Sequence, residues 1–221
     1  MEIGHCTFPD ELLYDPENNT WASAEDSDSV IVGVTSLILA IAGKLTAARV
    51  KPVGTRVVRG QSLGTLESVK FVGPIPSPVS GTISNMNGDV IKRPKLVNDS
   101  PYDEGWIVKL NPTSFLVEKI LLSRSLDAAE VFRKKIAETH ARCFKAFPDY
   151  EMVDIGTECS AVLVHLNDLL KSVSVGDTVH LVTDDPTSYV EMVRWTDQTH
   201  HELVDWRKEA NLFHFIVRKT H

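Results

Sequence analysis

The chain has 221 residues, of which 43% are hydrophobic and 24% are charged, and its formal net charge at pH 7 is −7. This composition is that of a globular protein with one or two domains. The net negative charge and the absence of a long basic run argue against nucleic-acid binding, because neutralising phosphates requires clustered Lys and Arg.

Targeting signals and cysteine usage indicate the compartment. The most apolar stretch, residues 30–48, is interrupted by polar residues and glycines and lacks the roughly 20 apolar residues of a membrane span. No basic region precedes an apolar core at the N-terminus, so no signal peptide is expected. Cys6, Cys143 and Cys159 are too few and too scattered for a disulfide framework. We therefore expect a cytoplasmic protein with reduced thiols and no membrane or nucleic-acid partner.

The first half of the chain has the pattern of a β-rich domain. Short strand-like segments, separated by Gly and Pro, run from Ser29 to Leu110. Thr35 could cap a short helix over Ser36–Ala42, with Gly43 at its C-terminal end. The pattern predicts a small sandwich or barrel.

A hairpin is predicted around the run Glu67–Lys70. One strand-like run begins at Gln61, the Pro-rich segment Gly73–Pro78 forms the return, and a second strand-like run begins at Val79. Folding these runs together would leave Lys70 at an exposed tip. Most exposed lysines in turns are only solvated charges, so this pattern by itself assigns no chemistry to Lys70.

The pattern changes to that of an amphipathic helix from Leu126 to Phe147, where apolar residues recur at helical spacing. His140 and Cys143 lie one turn apart on this helix and could in principle bind a metal. Two ligands without a third and fourth make a weak site, so we prefer core packing for both and predict no metal centre.

The last third alternates strands and helices in the order β-α-β-α-β-β, which predicts a small two-layer α/β sandwich. Cys159 lies at the predicted start of a helix over Cys159–Val173. Backbone N–H groups and the helix macrodipole favour a thiolate there, although a small residue buried near a helix start fits the position equally well. His200 and His201 next to Glu202 could suggest a metal site, but if this segment is a strand their side chains point to opposite faces and cannot share one ion, so we prefer a structural role for both.

Several motifs of the first half occur in a characteristic order. They are Pro9–Leu12, Tyr14, Trp21, Val32–Thr35, Glu67–Lys70, Ser77–Gly81, Leu96–Tyr102, Glu104–Trp106 and the helical segment Ala128–Phe132. In these motifs the chain resembles the glycine cleavage system H protein family.

This resemblance implies a lipoyl-type barrel-sandwich hybrid with a C-terminal helix. It also implies that lipoate is attached to Lys70 through an amide bond, and that a lipoylating enzyme is a partner. Glu67 could help to present the hairpin to that enzyme, or it could be a solvated surface charge; both readings have equal weight.

A second set of motifs covers the last third: Asp154-x-Gly156-x-x-Cys159, Gly176–Asp177, Thr183–Pro186 and His201–Leu203. Here the chain resembles the TusA-like sulfurtransferase family, whose cysteine at this place carries a persulfide. In that family Pro-x-Pro follows the cysteine, whereas this chain has Ser160–Val162. Because Pro in the first turn preorganises a helix start, the departure puts the positioning of Cys159 in question.

From both resemblances we expect an H-protein-like lipoyl domain over residues 9–140, a linker over 141–149 and a TusA-like domain over 150–221. The predicted function is that of a lipoyl-lysine carrier rather than an enzyme, with possible sulfurtransferase activity at Cys159. It would exchange sulfur between Lys70-lipoate and a Cys159 persulfide, with sulfur-transfer or sulfur-oxidation enzymes as partners.

Two alternatives stay open. In the first, the protein is a glycine cleavage H protein whose lipoyl arm carries an aminomethyl group between glycine cleavage enzymes. In the second, neither Lys70 nor Cys159 is modified and the protein is a binding scaffold.

Overall fold

The computed structural model of the protein describes residues 1–25 and 28–221. It divides into two compact units, Met1–Cys143 and Phe144–His221. Each unit has a hydrophobic core of its own. Residues 141–149, the predicted linker, contain no helix or strand. Across the described residues, no helix is both long enough and apolar enough to cross a membrane.

The first unit is built mainly from short strands. Its elements in chain order are β1 (Glu2–Ile3), β2 (Cys6–Thr7), β3 (Leu13–Asp15), β4 (Thr20–Ala24), β5 (Val30–Val34), α1 (Ser36–Ala42), β6 (Leu45–Val50), β7 (Arg56–Val57), β8 (Ser62–Ser68), β9 (Val72–Pro76), β10 (Gly81–Met86), α2 (Gly88–Lys92), α3 (Lys95–Asp99), β11 (Val108–Pro112), α4 (Phe115–Glu118), a 3₁₀ turn (Lys119–Leu121) and α5 (Ser125–Thr139).

These strands form a six-stranded sheet in the order β3-β4-β5-β11-β10-β7, a three-stranded sheet in the order β6-β8-β9, and the β1–β2 hairpin. With α5 at its C-terminal end, the unit has the predicted β-rich lipoyl-type class, which is confirmed.

Helix α1 has the predicted bounds, because apolar residues at helical spacing meet a glycine stop. Leu37, Leu39 and Ala42 are buried, and Gly43 ends the helix with φ +79°. Backbone in that region favours glycine. Thr35 precedes the helix as expected, but its side chain makes no capping hydrogen bond.

The hairpin around Lys70 forms differently from the prediction. Strand β8 turns directly into β9, and Glu67 pairs with Val72, so the Pro-rich segment is itself the return strand. Proline lacks a backbone donor and is tolerated on an edge strand, and β9 is at the edge of its sheet. The run from Val79 instead leads into β10 of the other sheet.

The C-terminal helix of the first unit is shorter than predicted. It ends at Thr139, and His140 adopts a left-handed conformation with φ 52° that turns the chain away from the helix axis. Cys143 then reaches Cys6 of β2 and forms a disulfide with it, across 137 residues of sequence. The prediction of reduced thiols is therefore wrong for this pair. The suggested His140–Cys143 metal pair also fails, because the Cys143 sulfur is bonded to Cys6.

An aromatic cluster lies under this disulfide. The rings of Phe8 and Phe132 stack with centroids 4.0 Å apart, and Tyr14 meets Phe132 edge-on at 5.6 Å. Cys6 and Cys143 belong to the same buried cluster. The disulfide thus fastens the N-terminal hairpin and the end of α5 to one core.

The second unit is the predicted two-layer α/β sandwich. Its elements are β12 (Tyr150–Asp154), α6 (Cys159–Ser172), β13 (Thr178–Thr183), α7 (Ser188–Thr199), β14 (Glu202–Glu209) and β15 (Leu212–Arg218). The sheet order is β12-β13-β15-β14; β12 is parallel to β13, and the other pairs are antiparallel. The core joins Leu166 and Leu170 of α6 to Leu181 and Phe215 of the sheet.

The two adjacent histidines do not lie in a strand. His200 ends α7 in a left-handed conformation with φ 60°, and His201 lies before β14 begins. The condition for separating their side chains by strand geometry is therefore not met. The His201 ring stacks on His221 and contacts Trp195 at a tilt of 42°.

Candidate functional site

Lys70 lies at the exposed tip between β8 and β9. The Ser68 backbone N–H donates to the Phe71 carbonyl at 2.7 Å, which closes the tip around Val69 and Lys70. Apolar side chains flank the lysine in solvent, since Val69 is 96% exposed and Val72 is 73% exposed. The tip therefore presents an amine between two apolar surfaces that an approaching protein could contact.

The base of this tip is fixed to the end of α1. The Ser68 hydroxyl donates to the Ala42 carbonyl at 2.6 Å and accepts from the Lys70 backbone N–H at 3.2 Å. A Cβ atom at Gly43 would lie 2.8 Å from Lys70 Cε. A side chain at residue 43 would therefore push the Lys70 side chain aside, and it would also be strained by the backbone, which has φ +79° there.

The buried side chain of Asn98 holds the turn between α1 and β6 by two hydrogen bonds. Its side-chain oxygen accepts the Leu45 backbone N–H at 2.9 Å, and its amide nitrogen donates to the Gly43 carbonyl at 3.0 Å. Asn98 is 5% exposed. Buried amides with both ends bonded rigidify their surroundings, so Asn98 fixes the surface on which Lys70 rests.

Glu67 stands three residues before the lysine on the same hairpin. Its carboxylate pairs with Arg49 of β6 at 2.8 Å, and its backbone carbonyl accepts from the Thr46 hydroxyl at 3.2 Å. The carboxylate is partly exposed beside the tip. A surface pair of this kind adds little stability, so its position is compatible with either role considered for Glu67.

A lipoyl group would fit this site. The Lys70 side chain is solvent-exposed, and its neighbours at Gly43 and Ser68 constrain the hairpin without enclosing the amine. An amide to Lys70 would remove the ammonium charge and leave a long flexible arm free to move in solvent.

Cys159 is the first residue of α6, as predicted, but its environment opposes a thiolate. The residue is 5% exposed. Its backbone N–H donates to Asp185 Oδ2 at 2.7 Å, and Gly156 N–H donates to Asp184 Oδ1 at 2.8 Å. One carboxylate therefore already occupies the first N–H of α6, and another holds the loop that precedes the helix.

The charge state follows from these contacts. Burial raises the pKa of the Cys159 thiol to about 11, with further contributions from the negative charges of Asp185 and Glu191. Hydrogen bonds from the hydroxyl and backbone N–H of Thr187 lower the pKa of Asp185, so this carboxylate is ionised at neutral pH. These contacts favour the second of the two readings of Cys159, a residue buried near a helix start, over a thiolate stabilised in the resting protein.

The structure brings Glu67 and Lys70 onto one hairpin, while Cys159 lies in the other unit. Sequence reasoning gave Gly43 only the role of a helix stop and assigned no role at either site to Ser68, Asn98 or Asp185. Ser68 and Asn98 lie inside motifs that carried the family resemblance. Their partners are distant in sequence, so no local pattern could predict the contacts.

Comparison with known proteins matches both halves of the chain. The family model described as "Glycine cleavage H-protein" covers residues 12–135, and that described as "Sulfurtransferase TusA" covers residues 155–219.

Curated relatives match the first half. Glycine cleavage system H protein 5 of Aquifex aeolicus is 38% identical over 145 residues, which cover 64% of this chain and 98% of that protein. Probable glycine cleavage system H protein 2 of Sulfurisphaera tokodaii is 44% identical over 110 residues, or 49% of this chain and 74% of that protein.

Among solved structures, a crystal structure of a glycine cleavage system H protein from Mycobacterium marinum is 30% identical. The match covers 48% of this chain and 87% of that chain, with a TM-score of 0.46. The H-protein model covers more than half of the sequence, and a TusA model covers most of the remainder. The chain therefore belongs to the glycine cleavage H-protein family and carries a TusA sulfurtransferase domain after its H-protein domain.

Proposed function

We propose that Lys70 carries lipoate and that the protein transfers sulfur between this arm and the TusA domain. The attachment of lipoate to Lys70 is supported by the position of this lysine at the exposed tip, over the glycine that ends α1. The family match supports lipoate as the attached group. The match to a TusA domain supports sulfur as the cargo.

When bound, lipoate supplies a disulfide that opens to two thiols and can hold a substrate fragment. The chain's own residues then have separate tasks. The Lys70 amine is the attachment point, and Ser68 holds the base of the hairpin on α1. Val69 and Val72 offer apolar contacts to a lipoylating enzyme. The Glu67 carboxylate beside the tip could be recognised by the same enzyme.

Cys159 would be the persulfide site of the second unit. Its raised pKa and its contact with Asp185 keep the resting thiol protonated. Because the thiolate is the nucleophile and burial is the main cause of the raised pKa, loading requires the start of α6 to open to solvent; withdrawal of the Asp185 side chain would remove a further opposing charge. A sulfur donor or partner enzyme that displaces this carboxylate would activate the cysteine.

A second candidate function is aminomethyl transfer in glycine cleavage. The observation that favours it is the identity of 38% to a relative named as an H protein, over 98% of that relative's length. Both candidates use Lys70-lipoate, and they differ in the cargo and in the need for Cys159.

Intact-mass measurement of protein from the native host tests the shared step. We expect one lipoyl adduct, which is lost in Lys70→Arg and retained in Lys51→Arg, a control at another exposed lysine. An adduct that persists in Lys70→Arg would contradict the assignment. If the wild-type protein has no adduct, both carrier functions fail and the scaffold alternative gains support.

The cargo is tested next. After incubation with a persulfide donor, sulfur on Cys159 and on the lipoyl arm supports sulfur transfer, with Cys159→Ser as the control. Glycine decarboxylation that depends on Lys70, without sulfur uptake by Cys159, supports the aminomethyl function instead.

Glu67 is tested by Glu67→Gln. A slower lipoylation rate, with stability changed by less than about 0.5 kcal/mol, would indicate recognition by the lipoylating enzyme. An unchanged rate would leave Glu67 as a surface charge.

A further inference from the structure

The Cys6–Cys143 disulfide and Lys70 lie at opposite ends of one short helix. At the start of α1, the Ser36 hydroxyl donates to the carbonyl of Thr7, next to Cys6, and Cys143 Sγ is 3.8 Å from the Ser36 carbonyl oxygen. At its end, Lys70 Cε passes over Gly43. Helix α1 therefore links the site of the arm to the disulfide.

The distance between the two ends is within reach of a lipoyl-lysine arm. Helix α1 has seven residues, so at about 1.5 Å per residue it is roughly 10 Å long. Lys70 Cε already lies over Gly43 at the end of the helix, so only the part of the arm beyond Cε follows the helix. That part has about eight bonds to the first sulfur and about ten to the second, or roughly 10–12 Å at about 3.6 Å per three extended bonds. The extended arm therefore matches the length of the helix.

The surface along this path suits an aliphatic chain. Ala40 and Ile41 of α1 are only partly buried, and they pack against the same cluster that contains Cys6 and Cys143. The exposed parts of their side chains give the hydrocarbon part of the arm an apolar surface beside the helix.

We propose that the Cys6–Cys143 disulfide is a redox partner of the lipoyl arm on Lys70. This inference rests on the proposed lipoylation. A thiolate of the reduced arm attacks Cys143 Sγ, the Cys6–Cys143 bond breaks, and Cys6 leaves as a thiolate that takes a proton. The second arm thiol, on losing its proton, attacks the arm sulfur bonded to Cys143. The arm's own disulfide then closes, and Cys143 leaves as a thiolate that takes up that proton.

The two electrons of the arm thereby pass to the cysteine pair. The arm is oxidised by two electrons and the Cys6–Cys143 pair is reduced by two. No other oxidant is needed.

Cys143 is the less buried of the two cysteines and therefore the one that we expect the arm to attack. Cys143 is 8% exposed, whereas Cys6 is 0% exposed. Cys143 also lies beyond the end of α5, in a segment without helix or strand. Segments with few ordered backbone contacts open locally more readily than core strands, so attack at this position requires no disruption of a sheet.

The exchange would give the carrier a second, internal dithiol–disulfide couple. An arm that leaves a partner enzyme in its reduced form could return to the cyclic disulfide without meeting an external oxidant. The cysteine pair would then hold the electrons until another acceptor removes them.

The test uses full-length lipoylated Cys159→Ser protein, so that Cys6 and Cys143 are its only cysteines. About 10 µM protein is reduced with NADH and catalytic dihydrolipoyl dehydrogenase, quenched with acid at intervals, alkylated and analysed by peptide mass spectrometry. We expect alkylation of Cys6 and Cys143 to follow reduction of the arm.

The control is Lys70→Arg in the same background, given about 10 µM free lipoamide and the same reducing system. A short tether gives an effective concentration in the millimolar range, so alkylation should be at least tenfold slower in the control. Equal rates in the two proteins, or a fully alkylated arm beside an intact Cys6–Cys143 disulfide, would overturn the inference.

Two further outcomes separate the inference from the proposed function. Cys6 and Cys143 that are already alkylated before reduction would overturn the inference and leave lipoylation of Lys70 intact. Absence of the lipoyl mass before reduction would overturn the proposed function itself, and the inference with it.

Discussion

Lys70 in the first unit and Cys159 in the second unit are both placed by the end of a helix, yet their surroundings differ. Lys70 stands in solvent over Gly43, between side chains that are 96% and 73% exposed. Cys159 is 5% exposed, and an ionised Asp185 bonds its backbone N–H. One residue is open to an outside enzyme, and the other is covered and protonated.

This difference corresponds to what acylation of a lysine and attack by a cysteine each require from the surrounding residues. A lysine that another enzyme acylates needs access and a fixed hairpin, because the modifying enzyme supplies the catalytic groups. A cysteine that attacks a sulfur donor needs a thiolate, which its own neighbours must stabilise. A sequence motif can identify both Lys70 and Cys159, but the reactivity of the cysteine depends on the groups that surround it in the folded structure.

The largest expected effect concerns the disulfide, which only the first unit contains. Reducing Cys6–Cys143 should destabilise that unit by about 2–5 kcal/mol, because the bond closes a long loop; the loop spans 137 residues. Hydrogen exchange with and without reductant measures each unit separately. Protection should fall in residues 1–143 and stay unchanged in 144–221; equal losses in both units would contradict the prediction.

The next effect tests the covered cysteine. A thiol with a pKa of about 11 has, at pH 7, roughly 300-fold less thiolate than a free cysteine of pKa about 8.5. Alkylation of Cys159 should therefore be slower than that of an unstructured cysteine by a factor on the order of 10². Asp185→Asn should accelerate it, since a negative charge next to the thiol is removed.

The matched control is Asp184→Asn, because Asp184 bonds Gly156 N–H and is not among the groups that raise the pKa of Cys159. Similar acceleration in both variants would mean that loosening the loop, rather than removing the Asp185 charge, activates the thiol.

The same pKa shift makes stability depend on pH. Between about pH 8.5 and pH 11 the folded state keeps the Cys159 proton and the unfolded state loses it. Unfolding free energy should therefore fall with rising pH in this window, by at most about 1.4 kcal/mol per pH unit. Cys159→Ser should flatten the slope, as measured by denaturant unfolding; an unchanged slope would show that other groups cause it.

A smaller effect is expected at the surface beneath Lys70. Gly43→Ala should cost about 1–3 kcal/mol, because a residue with a side chain is strained at this backbone conformation, and it should also slow lipoylation by displacing Lys70. Gly60→Ala is the control: Gly60 has φ +83°, but no atom lies within 4 Å of its added Cβ. Both variants should lose stability by denaturant unfolding, and only Gly43→Ala should lose lipoylation rate.

The smallest effect concerns the base of the hairpin. Ser68→Ala removes the hydrogen bond to the Ala42 carbonyl and should cost about 1 kcal/mol, with slower lipoylation. Ser62→Ala on the same strand removes a bond of equal length, to the Gly64 carbonyl, without touching the tip. If both variants are lipoylated at the wild-type rate, Ser68 stabilises the strand without positioning the lysine.

Local patterns predicted most of the elements near the site. The bounds of α1 agree with the structure, because apolar residues at helical spacing and a glycine stop act within a few residues. The errors occurred where distant contacts compete. The Pro-rich segment became a strand because it lies at a sheet edge, and the predicted helix to Phe147 stopped at Thr139, beyond which Cys143 reaches the N-terminal hairpin.

The sequence by itself determined the two families, the order of the elements in the second unit, and Lys70 and Cys159 as the residues to consider. These follow from motifs and periodicities that are read along the chain. Only the tertiary structure decided that Lys70 rests over Gly43, that Cys6 bonds Cys143, and that Asp185 holds the start of α6 at Cys159. Each of these contacts joins residues at least 26 positions apart, and the electrostatics of a site depend on distance in space, which spacing along the chain does not encode.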